Sequence, residues 1–194
     1  MKRYDRYKDS GVQWIGEIPE HWKCVPFKRI AIVESNLVHP SEHLSMQQIS
    51  PDSIEKNSGK ILTHRTVEEA NVESDNHRFY KGQILYSKIR PLLNKVTVAP
   101  YDGLCSADMY PISTKEDTRF LQYYMLSEPF LTSVKNVVAD RVKMPKINKE
   151  ELSEINITLP SDSEQHAIVG YLKDKTLKID QYVAARERER ERAA

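Results

Sequence analysis

At 194 residues and 39% hydrophobic content, the chain can bury one core of ordinary size and carry an appendage. A mean hydropathy of −0.61 and apolar stretches of only a few residues exclude a membrane-spanning helix and indicate a soluble protein. The net charge of +1 hides a segregated distribution. Arg78, Lys81, Lys88, Arg90 and Lys95 fall between residues 78 and 100 with no acid among them, and Lys135, Arg141, Lys143, Lys146 and Lys149 face only Asp140 between 135 and 149. Residues 31–77 carry eight acids against Lys56, Lys60 and Arg65. Such segregation is either one basic face, the footprint of a polyanion site, or the ordinary lopsidedness of a solvated surface.

The N-terminus, Met1-Lys2-Arg3-Tyr4-Asp5-Arg6, leads into polar sequence and lacks the apolar region of a signal peptide. Cys24 and Cys105 stand in no paired spacing, so a reduced, cytoplasmic protein is expected. Trp14 and Trp22 lie beside the turn residues Gly16 and Pro19, which reads as an extended arm over residues 1–26 pinned by its aromatics. Residues 27–34 form a short apolar run, either strand or helix. The stretch 35–80 reads as irregular, with one strand near 45–49 and a turn at Asn57-Ser58-Gly59. Three further strands are predicted: 83–89 stopped by Pro91, 95–98 ended by Pro100, and 103–112.

Ser113 and Glu116 have the spacing of a capping box for a helix carrying Phe120, Leu121, Tyr124 and Met125. Pro129 is expected to break that helix, with a second helical piece over 130–138. A strand over 155–159 then leads through Pro160 to Ser161 and Glu164, a second capping box, which opens a long final helix. Val169, Leu172, Thr176, Ile179 and Val183 follow alternating three- and four-residue steps, the spacing of a coiled-coil seam. Such a helix would reach roughly 45 Å, longer than the domain could cover. The alternative is an amphipathic helix folded back on its own domain. The terminal Arg/Glu alternation from Arg186 places opposite charges at i,i+3 and like charges at i,i+4, so its helical support is mixed.

Catalytic constellations are hard to assemble. Asp75 precedes Gln83 and Lys88, but the second acid of a magnesium-dependent nuclease site is missing. The six glycines are scattered and form no phosphate loop. His39 and His43 lack a third zinc ligand. No metal, cofactor or enzymatic activity is expected.

Two blocks carry a family resemblance. Tyr7-Lys8-Asp9-Ser10-Gly11-Val12-Gln13-Trp14-Ile15-Gly16-Glu17-Ile18-Pro19-Glu20-His21-Trp22 resembles the N-terminal signature of specificity subunits of type I restriction-modification systems. Arg141, Met144-Pro145-Lys146-Ile147-Asn148, Leu159-Pro160 and Ser163-Glu164-Gln165 are similar to the end of a target recognition domain and the helix that follows it. Between them, residues 82–91 resemble a strand segment of such domains. The resemblance implies an α+β fold: one target recognition domain with a small mixed or antiparallel sheet and flanking helices over 1–160, and a long helix over 161–194. It also implies a non-catalytic role in reading double-stranded DNA, with modification (methyltransferase) and restriction subunits as partners.

Members of the family normally carry two recognition domains, whereas one is present here. An exposed seam then calls for a homodimer through an antiparallel coiled coil, each copy reading half of an interrupted palindrome. Lys88, Arg90, Asn94 and Lys95, with Arg141, Lys143 and Lys146, are the candidate DNA contacts, and Arg90, Asn94 and Arg141 have the donor geometry for base edges. Lys60, His64 and Arg65 are weaker candidates. Lys146 and Asn148 have a second reading, as a structural junction that caps the next helix. Two other functions fit the sequence less well: a truncated interaction protein that pairs with such subunits without reading DNA, and a stand-alone nuclease.

Overall fold

The computed structural model describes residues 4–141 and 143–193; Met1, Lys2 and Arg3 of the polar N-terminus, Val142 and the terminal Ala194 lie outside the described residues. The arm begins with a hairpin, β1 (Tyr7–Asp9) against β2 (Glu17–Pro19), with Lys8 opposite Ile18. Gly11 and Gly16 take φ of +76° and +70° in its connection, a conformation that carries no Cβ penalty for glycine. Strand β3 (Lys23–Pro26) follows and pairs antiparallel with the last strand of the chain. The arm is therefore held by hydrogen bonds as well as by aromatics. Trp14 Nε1 donates to Ser133 Oγ at 2.9 Å and Trp22 Nε1 to Glu164 at 3.2 Å.

The apolar run after Pro26 resolves into both of its readings: a 3-10 turn at Phe27–Arg29, then β4 (Ala31–Val33). The stretch expected to be irregular holds four strands, β5 (Leu37–Val38), β6 (Gln47–Ile49), β7 (Arg65–Thr66) and β8 (Asn76–Phe79). Next come β9 (Ile84–Ser87) and β10 (Val96–Val98), as expected. The single strand expected over 103–112 is two, β11 (Gly103–Ser106) and β12 (Met109–Thr114), separated by a turn at Ala107-Asp108 and placed in different sheets.

These strands form two sheets rather than one. The order β10-β9-β12-β4 is wholly antiparallel, while β5-β8-β11-β6-β7 is mixed because β11 runs parallel to β6. Alternation along β9 explains why all four of its residues are buried. Ile84 and Tyr86 point into one core with Val33, Val96 and Ile112; Leu85 points into a second core with Ile49, Phe79, Cys105 and Met109. The five-stranded sheet closes this second core. Gly103 permits the close pairing there, since a Cβ would lie 2.4 Å from the Gln47 carbonyl oxygen and 2.6 Å from the Phe79 ring.

Helices cover the first core. Helix α1 (Thr118–Leu126) is capped by Asp117, whose carboxylate accepts from Arg119 N and Phe120 N, so the cap lies four residues beyond the predicted Ser113. Glu116 instead accepts from Gln165 Nε2 at 2.8 Å. The chain breaks at extended Ser127, and Pro129 sits in the first turn of α2 (Glu128–Val138), where its missing N–H is harmless. Helix α3 (Lys149–Glu154) leads into β13 (Asn156–Leu159), the partner of β3, and α4 (Asp162–Ala193) follows. At 32 residues α4 is about 48 Å long. Only its first turns pack on the domain, through α1, and every described residue from Lys173 onward is exposed.

Candidate nucleic-acid interface

The two basic segments meet. Ile89 and Lys146 form an antiparallel bridge, flanked by Arg90 N donating to the Pro145 carbonyl at 2.8 Å and Ile147 N to the Lys88 carbonyl at 3.0 Å. The stretch leaving β9 is thereby stitched to the stretch entering α3. The turn between β11 and β12 joins the two stretches into one rim: Lys88 N donates to the Asp108 carbonyl at 3.0 Å and Lys146 Nζ lies 3.3 Å from the Asp108 carboxylate.

The rim is rigid for reasons that can be named. Asn148 and Glu151 form a reciprocal cap on α3: Glu151 N donates to Asn148 Oδ1 at 2.8 Å, and Asn148 N donates to Glu151 Oε2 at 3.0 Å. Glu151 also receives both terminal nitrogens of Arg141, one of which reaches the Lys146 carbonyl as well. The hydrogen bond from Arg141 holds the Glu151 carboxyl below the usual carboxylate range. Backbone strain gathers at the same place. Arg90, Asn94 and Met144 take left-handed φ values of 43°, 50° and 42°, a region that non-glycine residues rarely occupy and that clusters at functional sites.

The candidate contacts separate on this geometry. Arg90 and Lys143 are exposed on the rim, and a terminal nitrogen of Arg90 lies 3.8 Å from Met144 Sδ. Lys88 is half-buried, its ammonium 5.1 Å from the centroid of the Tyr110 ring, and Lys146 is exposed beside Asp108. Arg141 is engaged as the clamp on Glu151, and does not present a free guanidinium to a base edge. Asn94 is only 2% exposed and donates its side-chain amide to the Leu126 carbonyl at 3.0 Å, which takes it out of the rim. Lys95 is half-buried with its ammonium 2.6 Å from the Pro51 carbonyl oxygen. His64 and Arg65 are exposed at β7, an edge strand of the five-stranded sheet, and Lys60 is exposed next to Gly59, which lies against the Val96 carbonyl of β10.

Residues that charge counting passes over also belong here. Leu92, Leu93 and Met144 are exposed apolar side chains beside the cations. His77, 6% exposed, has a buried Nδ1 without a partner, and burial followed by the charge of Lys88 pushes its imidazole pKa down. Met144 left a trace in the block Met144-Pro145-Lys146-Ile147-Asn148, and Glu151 in standing three positions after Asn148, the spacing of a capping pair.

Along α4 the seam splits. Val169 and Leu172 are half-buried where the helix leaves the domain, whereas Thr176, Ile179 and Val183 are exposed, Ile179 at 61%. Tyr182 at 62% extends the apolar stripe. Thr176 bonds its own helix, donating to the Leu172 carbonyl at 2.9 Å. Arg186 pairs with Glu189 at i,i+3 in the alternating tail.

The two large sheets thus carry a cationic rim and a protruding helix, and no three described His, Cys, Asp or Glu side chains are grouped to hold a metal. Residues 45–182 match the family model for the type I restriction modification DNA specificity domain. The chain belongs to that family, which places it among the non-catalytic components of such systems.

It is 45% identical over 152 residues to the type I restriction enzyme EcoDI specificity subunit of Escherichia coli, a match that covers 78% of this chain and 34% of the relative. The fold is similar to the HsdS subunit from Thermoanaerobacter tengcongensis, with a TM-score of 0.72, 18% identity and coverage of 85% of this chain and 44% of the other. A chain from a structure concerned with complex assembly and conformational transition of the type I R-M system aligns with a TM-score of 0.73 and 15% identity, over 88% of this chain and 47% of that one. The chain thus spans about a third to a half of the length of these relatives.

Proposed function

We propose that the chain is a single DNA-reading unit of a type I specificity subunit, reading one half of an interrupted, palindromic site and docking modification subunits, with restriction subunits joining the assembly. Residues 1–160 serve as the recognition domain, with 1–26 as its arm, and 161–194 as the spacer. The observation that carries this reading is the Ile89–Lys146 bridge, which joins two basic segments 57 positions apart into one rim in a chain of a DNA specificity family. Phosphates would be met by Lys88, Lys143 and Lys146, and Arg90 is the donor best placed for a base edge.

The exposed stripe on α4 supports pairing with an equivalent helix. Two-fold antiparallel pairing of two copies is the simplest arrangement that covers it and sets two rims at a fixed separation. Cys24 and Cys105 are both unpaired, as suits the reducing cytoplasm where the DNA lies.

Co-expression with the methyltransferase subunit of the same system, followed by purification and mapping of methylated bases, tests the proposal. The expected outcome is co-elution and a bipartite palindromic motif. Co-elution without any sequence motif would leave an interaction protein instead.

A further inference from the structure

Three exposed apolar side chains lie on the two loops of the cationic rim. Leu92 and Leu93 are 43% and 40% exposed on the 3-10 turn Pro91–Leu93, and Met144 is 57% exposed on the neighbouring stretch. Single exposed leucines are ordinary. Here, however, both supporting loops are fixed from below. The 3-10 turn lies between left-handed Arg90 and left-handed Asn94, and Asn94 is held to the Leu126 carbonyl by its side chain and to Asn57 N by its own carbonyl, 3.1 Å away. Met144 is left-handed too; its neighbour Pro145 receives Arg90 N, and Arg141 braces the stretch by reaching the Lys146 carbonyl. Loops anchored this firmly do not fold their apolar side chains away from water.

Charge decides what these side chains meet. Arg90 reaches Met144 Sδ, Lys143 is adjacent in sequence, Lys88 precedes the bridge and Lys146 is one of its two partners. An apolar protein groove gains little from a ring of cations. A DNA duplex, by contrast, is anionic along its backbone and apolar between its base pairs. We propose that Leu92, Leu93 and Met144 form a wedge that opens a base step of the target duplex and kinks it while the surrounding cations hold the phosphates. This inference rests on the DNA-reading role above. Apolar side chains inserted between base steps unstack them, and a pyrimidine–purine step yields most readily, so the wedge also gives preference at a position read by deformability rather than by hydrogen bonds.

The test uses the purified complex with the methyltransferase subunit and a duplex containing the mapped methylation motif, its ends labelled with a donor–acceptor fluorophore pair. Wild type should shorten the end-to-end distance. The double variant Leu92→Ala, Met144→Ala should lose that bend and bind about tenfold more weakly, with the slope of log affinity against log salt unchanged because no phosphate contact is removed. Met144→Lys alone should also lose the bend while steepening the slope. Arg90→Ala should lower the slope.

A double variant that bends and binds like wild type would overturn the wedge, while loss of affinity in Arg90→Ala would leave DNA reading intact. If Arg90→Ala and Lys143→Ala together bind unchanged, the DNA-reading role fails instead. Loss of methyltransferase co-elution in the double variant would identify the tip as a protein-docking surface and likewise overturn the wedge.

Discussion

Trp22 donates its indole N–H to Glu164 across 3.2 Å, joining residues 142 positions apart. The same carboxylate meets His21 Nε2 at 2.9 Å, Ser161 Oγ at 2.7 Å and Ser161 N at 3.0 Å. Glu164 thus both completes the cap of α4 with Ser161 and anchors the arm, next to Gln165, which donates to Glu116 and accepts from Asp117 N. The arm and the helix are a single mechanical joint.

That joint should titrate. Burial alone would raise the Glu164 pKa, but hydrogen bonds from Ser161, His21 and Trp22 more than offset it and hold the carboxyl at about 2, against an ordinary value of 4.5. A depressed pKa stabilises the folded chain above the unfolded value and loses that contribution as pH falls from about 4.5 to about 2. Glu164→Gln should be less stable than wild type at pH 7 by about 1–2 kcal/mol. Its stability should change less across that acid window, as read by urea unfolding at a series of pH values.

Arg90 and Arg141 should behave differently although both are rim arginines. Arg90→Ala should lower the salt slope of DNA binding by about one, the signature of a lost cationic contact. Arg141→Ala frees Glu151 and loosens the stretch that carries Lys143 and Lys146, so affinity and melting temperature should fall while the slope stays near that of wild type. Fluorescence anisotropy titrations at four salt concentrations separate the two outcomes.

Asn94 should prove structural. Asn94→Ala leaves the Leu126 carbonyl without its donor and places an alanine at a left-handed φ of 50°. Together these should destabilise the domain by about 2–3 kcal/mol. Thermal unfolding would record the loss. DNA affinity measured well below the transition should fall as the Leu92–Leu93 turn loosens, while the salt slope stays that of wild type because Asn94 supplies no cation.

Self-association should depend on the outer part of α4. Ile179→Asp with Val183→Asp should leave the melting temperature unchanged, since both side chains are exposed, and should abolish dimerisation in sedimentation velocity. Val169→Asp, half-buried near the domain, should lower the melting temperature instead. A monomer in wild type and variant alike would remove the pairing proposal.

Much of this architecture was legible because some signals are local. Ile84–Ser87 and Val96–Val98 carry apolar runs bounded by prolines, and Ser161 with Glu164 marks the start of α4 by spacing alone. The two-residue strands Leu37–Val38 and Arg65–Thr66 left no periodicity to detect, and Asn76-His77-Arg78-Phe79 becomes a strand only by pairing with β5 and β11. The break within 103–112 went unseen for a related reason: its turn, Ala107-Asp108, is short and carries no glycine or proline, and it passes the chain from one sheet to the other.

The site divides in the same way. Clustered charge pointed to the rim, but charge counts cannot distinguish Arg90, exposed, from Arg141, clamped on Glu151, or from Lys95, held by the Pro51 carbonyl. Those partners are fixed by tertiary structure. No sequence spacing announces them.

The pairing of β3 with β13 has one more consequence. Polypeptide enters the domain on one strand of this ribbon and leaves on the other, with Val25 opposite Ile157, so residues 27–155 make a closed excursion that returns to where it departed. Loops on that excursion away from Glu116 and Asp117, which bond Gln165, can be rewritten without altering the length of the spacer. On the proposed reading, sequence preference and half-site separation therefore occupy separate parts of the chain, like interchangeable type set in a fixed frame.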